Sequence, residues 1–312
     1  MPVAADEATA QGPRASREPA SSSGAVRPQA ARRKGGRRAS PRAALGVFDS
    51  GVGGLTVVAR LRQQLPGVDV VYLGDTARLP YGTKSPSTVA RYTRRNVSFL
   101  LEQRVGGVVV ACNSASAMAL EGLEAPVPVW GVIEPGARAA AAASRGRIGV
   151  LATASTVASG AYPRAVDRIR SGLEVLQQPC PLFVPLVEEG WLDDPVSEAV
   201  ARRYLEPLLA AGVDTLVLGC THYPLLEPLI RRIVGREIAI VDSARAVSAV
   251  VAAELEQSRS GAGSLRLLVT DAGPGCERLA RQILGVDVDL ELVDIPPREE
   301  AGEAAAGRGD FA

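Results

Sequence analysis

A chain of 312 residues, 46% of them hydrophobic, can bury a core large enough for one large domain or two ordinary ones. Its longest apolar runs, such as "VGGVVVA" at 105–111, fall far short of the roughly 20 residues that cross a bilayer, which excludes a membrane span. Four cysteines, at 112, 180, 220 and 276, are too few and too scattered for a disulfide framework, and the net charge of +1 hides an uneven distribution.

Residues 1–43 hold nine Lys/Arg against three Asp/Glu, among many Pro, Ser, Gly and Ala. Such a segment has almost no large apolar side chain to offset its ordering entropy, so a disordered basic extension is expected. The segment lacks the apolar stretch of a secretory signal, and a cytoplasmic protein is expected. A solvated tail is the simplest reading; contact with nucleic acid through "ARRKGGRR" is the minor alternative.

From residue 45 the pattern changes. Short β-branched runs predict strands at 45–48, 68–74, 106–111, 127–132, 147–151, 214–219, 237–241, 265–270 and 288–293. Segments with apolar residues at helical spacing lie between them, including 55–65, 87–104 and 197–212. Near-continuous apolar strands alternating with amphipathic helices predict an α/β fold of parallel sheets covered on both faces. Ligands in such folds bind beyond the carboxyl ends of the strands.

Two of the loops in those places look alike. "VVVACNSASAMAL" and "TLVLGCTHYPLL" are each an apolar strand, a small residue, a cysteine, a short polar run and a helix. The strand "GVF" runs into "DSGVGG", and "IGVL" into "ATASTVASGAY". The spacing from Gly46 to Cys112 nearly matches that from Gly149 to Cys220, which points to a duplicated α/β unit. Two facing, pseudo-symmetric domains would then each present one thiol to a shared cleft.

The chemistry narrows by exclusion. "DSGVGGLT" has Thr56 where a dinucleotide fingerprint needs its third glycine, and it lacks the Gly-Lys-Ser/Thr ending of a phosphate loop. It reads better as a tight turn that brings backbone amides and the Asp49 carboxylate to a small anionic ligand. One histidine, without C-x-x-C or H-x-x-x-H spacing, argues against zinc. Lys84 is the sole lysine outside the tail, which argues against a pyridoxal Schiff base. A Cys–His hydrolase would leave Cys220 unexplained.

Cys112 and Cys220 each fall where a strand meets a helix N-terminus, a position that favours thiolate. Cys180 and Cys276 read as small buried hydrophobes. Two thiols on opposite domains suit proton removal from one face of a carbon and proton delivery to the other. Asp49 on one loop and His222 on the other would tune them toward the working pH.

Taken together, "GVFDSGVGGLTV", "YLGDTARLPYG", "VVACNSASA", "GVIEPGARAA", "CPLFVPLVEEGW", "LVLGCTHYPLL" and "VDSA" resemble the glutamate racemases of the cofactor-independent aspartate/glutamate racemase family, over about residues 45–294. The resemblance implies interconversion of L- and D-glutamate without a cofactor, supplying D-glutamate for peptidoglycan. It implies Cys220 as the base for L-glutamate, Cys112 as the base for D-glutamate, Asp49 and His222 as assisting groups, and Glu188 as a third. The matching substrate-binding positions are Asp49 and Ser50, Tyr81 and Gly82, Asn113 and Ser114, and Thr221 and His222.

Ser114 stands where threonine is more usual, and its hydroxyl is retained. The expected first domain is 44–139 completed by 245–297, the second 140–244, and 298–312 a flexible tail. Three alternatives stay open: an aspartate racemase, another member of the superfamily, or a regulatory protein whose tail touches DNA or gyrase. A homodimer is compatible with all of them.

Overall fold

The computed structural model describes residues 43–255 and 261–296. The expected basic extension, except its last residue, and the 298–312 tail lie outside the described residues.

The first run of elements is β1 (Leu45–Asp49), α1 (Leu55–Gln64), β2 (Val70–Gly74), α2 (Pro86–Glu102), β3 (Gly107–Val110), α3 (Asn113–Ala119), β4 (Val129–Gly131) and α4 (Ile133–Ala143). The second is β5 (Arg147–Ala152), α5 (Ala154–Ser159), α6 (Ala161–Ile169), β6 (Glu174–Pro179), α7 (Phe183–Glu188), α8 (Pro195–Ala210), β7 (Thr215–Gly219), α9 (Glu227–Val234) and β8 (Ala239–Asp242). The chain closes with α10 (Ser243–Leu255), β9 (Leu265–Val269), α11 (Pro274–Leu284) and β10 (Leu290–Leu292). None of the described helices is long and apolar enough to cross a membrane.

Two parallel sheets result, ordered β10-β9-β2-β1-β3-β4 and β6-β5-β7-β8. The order 2-1-3-4 in the first recurs as 6-5-7-8 in the second, which is the duplication expected from the cysteine spacing. In both, the first strand of the repeat sits between the second and the third, with Val47 paired to Tyr72 and Val109, and Val150 to Gln177 and Val217. Both sheets have helices on their faces, and every residue of β1, β2, β3 and β7 is buried.

The helices follow their apolar spacing. In α2, Val89, Thr93, Asn96, Val97 and Leu100 form the buried face, and Val89, Val97 and Leu100 pack with Phe48, Val71 and Val108 from the sheet. Truncating a fully buried residue such as Leu100 to alanine costs about 2–5 kcal/mol. The helix starts sharply because Ser85 accepts from the Thr88 N–H and Pro86 follows it; Asp194 and Pro195 do the same for α8 through the Val196 N–H.

One strand departs from the sequence reading. β6, "EVLQQP", is an edge strand with partly exposed side chains, so it lacks the continuous apolar run that marks its neighbours.

Candidate active site

The carboxyl ends of β1, β2, β3, β5 and β7 converge on one cleft. Ser50, Tyr81, Gly82, Cys112, Asn113, Ser114, Glu188, Cys220, Thr221 and His222 all line it, joined by Thr153 from the loop after β5. Asp49 lies beneath the cleft floor, fully buried. The cleft is narrow, with a cavity volume of about 30 Å³. That volume suits water-sized molecules, so seating an amino acid requires the walls to part.

Cys112 precedes α3 directly and is 5% exposed. Its thiol donates to Ser50 Oγ at 3.5 Å. The helix N-terminus was expected to favour thiolate here, but the outcome is the reverse. Burial, then the negative charge of Asp49, push the thiol up to about 12, against the opposing pull of the Ser50 hydroxyl and the Ala115 N–H. Cys112 therefore rests as a thiol.

Cys220 follows β7 and is 7% exposed; it leads into a 3₁₀ turn at Tyr223–Leu226 before α9 begins. Its Sγ lies 3.9 Å from His222 Nδ1. On the other side of the ring, Nε2 is 3.4 Å from Glu188 Oε1, an ion-pair distance without hydrogen-bond alignment. Burial works to lower the His222 pKa, but Cys220, Glu188 and Asp49 outweigh it and raise it to about 10. At neutral pH the second loop thus holds an imidazolium beside its sulfur.

Asp49 also departs from expectation. The Gly51 and Gly54 N–H groups donate to its Oδ2 at 3.0 and 3.1 Å, so these amides of the glycine turn are directed at the protein's own carboxylate rather than at a ligand. Its Oδ1 accepts from Thr221 Oγ1 at 3.3 Å, and Thr56 Oγ1 donates to the Thr221 carbonyl at 3.0 Å. These two bonds tie the first glycine loop to the second cysteine loop. Burial raises the Asp49 pKa, while His222 and the two amides pull it down.

Two groups supporting the site escaped the sequence reading. Asp75, fully buried after β2, accepts from Tyr81, from Arg78 Nη1 at 2.7 Å, from Asn96 Nδ2 at 3.1 Å and from Thr270 Oγ1 at 3.1 Å. It fixes the turn that carries Tyr81 and Gly82. Thr153 Oγ1 and Ser114 Oγ meet at 2.9 Å, joining the loop after β5 to the start of α3. The duplication was the available signal for Thr153, since its loop is the counterpart of the one that carries Asp49 and Ser50.

Two repeated parallel α/β units thus each contribute one buried cysteine to a common cleft. Residues 47–251 match the Asp/Glu/Hydantoin racemase family, and the chain belongs to it. Among its relatives is the glutamate racemase of Geobacter metallireducens, 51% identical over an alignment of 253 residues, with 78% of this chain and 94% of the relative covered. The structure of the Francisella tularensis glutamate racemase in complex with D-glutamate superposes with a TM-score of 0.77 at 32% identity, over 82% of this chain and 99% of that one. The Thermus thermophilus glutamate racemase, in complex with β-chloro-D-alanine, gives 0.74 at 45% identity, over 82% and 98%.

Proposed function

We propose that this chain interconverts L- and D-glutamate without a cofactor, by proton transfer at the α-carbon between Cys220 and Cys112. The observation that carries the reading is the single buried thiol that each repeat contributes to the one cleft, each with its own polar partner. Starting from L-glutamate, the Cys220 thiolate takes the α-proton beside the His222 imidazolium. Cys112, resting protonated, then delivers its own proton to the opposite face of the carbanionic carbon. The reverse direction exchanges the two roles, and one proton enters the carbon for each that leaves.

Asp49 acts from below. Its charge keeps the proton on Cys112, and its bond to Thr221 sets the second loop. The hydroxyls of Ser50, Ser114 and Thr221, with the backbone amides at the start of α3, suit two carboxylates. Glu188, beside His222 Nε2, completes the assisting set. The product feeds peptidoglycan synthesis in the cytoplasm. The domain division 44–139 with 245–297, and 140–244, forms part of the same proposal, supported by β9 and β10 adding to the first sheet.

The test is circular dichroism of the purified chain with L-glutamate and, separately, D-glutamate, beside Cys112→Ala and Cys220→Ala. Decay of the signal from both enantiomers, lost in each variant, is the expected result. Undiminished racemisation by either variant would refute the two-thiol mechanism. Activity on another amino acid but none on glutamate would refute the substrate.

A further inference from the structure

Behind the cleft a buried hydrogen-bonded relay joins the two cysteine loops. Tyr162, in α6, donates from its hydroxyl to Asn113 Oδ1 at 2.8 Å. Asn113 Nδ2 donates to Ser243 Oγ at 3.4 Å, and Ser243 Oγ donates to the Leu218 carbonyl at 3.1 Å. Asn113 is the residue after Cys112, and Leu218 lies two residues before Cys220. Tyr162, Asn113 and Ser243 are 0%, 2% and 1% exposed.

The ring of Tyr162 has a made space. A Cβ on Gly136 would lie 3.2 Å from the Tyr162 hydroxyl, and one on Gly219 would lie 3.2 Å from the ring edge. Burial, then the charges of Cys220 and Asp242, hold the phenol well above its ordinary range, so it remains a donor. The Asn113 side chain is thereby engaged at both ends of its amide.

We propose that Tyr162 is a positioning residue which, through Asn113 and Ser243, sets the spacing of Cys112 and Cys220 across the substrate carbon. The inference rests on the racemase reading. A proton taken by one sulfur inverts the centre only if the other sulfur stands opposite within tenths of an ångström. When the far thiol is misplaced, the near one still removes the proton, exchanges it with solvent and returns it to the same face. The relay therefore decides between inversion and simple exchange.

The experiment follows L-glutamate in D₂O with the full chain, its Tyr162→Phe variant and its Ser243→Ala variant. Inversion is read by circular dichroism, and α-deuterium in the recovered L-enantiomer by mass spectrometry. Tyr162→Phe keeps the buried ring, and thermal melting reports that the fold is retained. Inversion should fall by about 10–100-fold in both variants, with exchange falling less, so that the exchange-to-inversion ratio rises about tenfold. A ratio equal to that of the parent chain in both variants, whatever the absolute rates, overturns the inference, because loss of stability alone scales both readouts together. A parent chain that neither exchanges nor inverts glutamate overturns the racemase reading, and this inference with it.

Discussion

Gly53 offers a sharp test of the contact between the two halves of the site. An added Cβ would sit 2.5 Å from both Cε1 and Nδ1 of His222 and 2.8 Å from Thr221 Oγ1, whereas ordinary contacts begin near 3.4 Å. In Gly53→Ala the imidazole must retreat by about 1 Å, a displacement that costs about 10²-fold in a positioned catalytic group. The two interactions at risk are already long: 3.9 Å from Nδ1 to Cys220 Sγ, and 3.3 Å from Thr221 to Asp49. Overpacking adds about 1–3 kcal/mol of destabilisation. At about 2–4 °C per kcal/mol this is a melting temperature lower by about 5 °C. Racemisation would be followed by circular dichroism from both enantiomers, and unfolding by a thermal melt. Gly51→Ala is the control, since its Cβ would meet only Leu79 Cδ2, at 3.6 Å. Wild-type kcat/KM and melting temperature in Gly53→Ala would refute the reasoning.

Three further outcomes follow from the site. Because the His222 pKa is raised to about 10, its protonation stabilises the fold fully below pH 6.5, and the contribution is lost as pH rises through about 10. The unfolding free energy that separates wild type from His222→Gln should thus be largest near pH 6 and shrink toward pH 10 in urea titrations; a constant gap would contradict it. Asp75→Asn removes the charge that gathers Arg78, Tyr81, Asn96 and Thr270, and should cost about 3 kcal/mol by denaturant melting, with KM raised more than kcat is lowered. In Gly82→Ala the new Cβ would come within 2.8 Å of the Thr153 Cβ, so the cleft should close less fully and KM should rise, with the melting temperature little changed.

Much of this arrangement is written in the sequence because parallel strands buried on both faces need unbroken β-branched runs. "LGVF", "GGVVVA" and "DTLVLG" mark β1, β3 and β7, and so place Asp49, Cys112 and Cys220 at strand ends. The edge position of β6 removed that signal from "EVLQQP". Asp75 reads locally as a turn former, and its five-group network depends on Thr270, far along the chain. The helix N-terminus at Cys112 is legible in the sequence, whereas the burial and the Asp49 carboxylate that outweigh it come from the fold. Tyr162 carries no local mark of its link to Asn113, which arises only when the two repeats meet.

The late return of β9 and β10 to the first sheet also shapes how the chain is made. β2, "VVYLG", is buried at every position and takes β9 as its outer neighbour, with Tyr72 paired to Leu267. Everything between these two strands, including the whole second repeat, is synthesised first. At ordinary elongation rates the ribosome needs roughly 10–40 s to span that interval. Throughout it, an apolar strand has an open hydrogen-bonding edge, the feature most prone to pairing with another chain. A transcript cut short before residue 265 would leave that edge open permanently, so loss of the last two strands should yield aggregates rather than a smaller working enzyme.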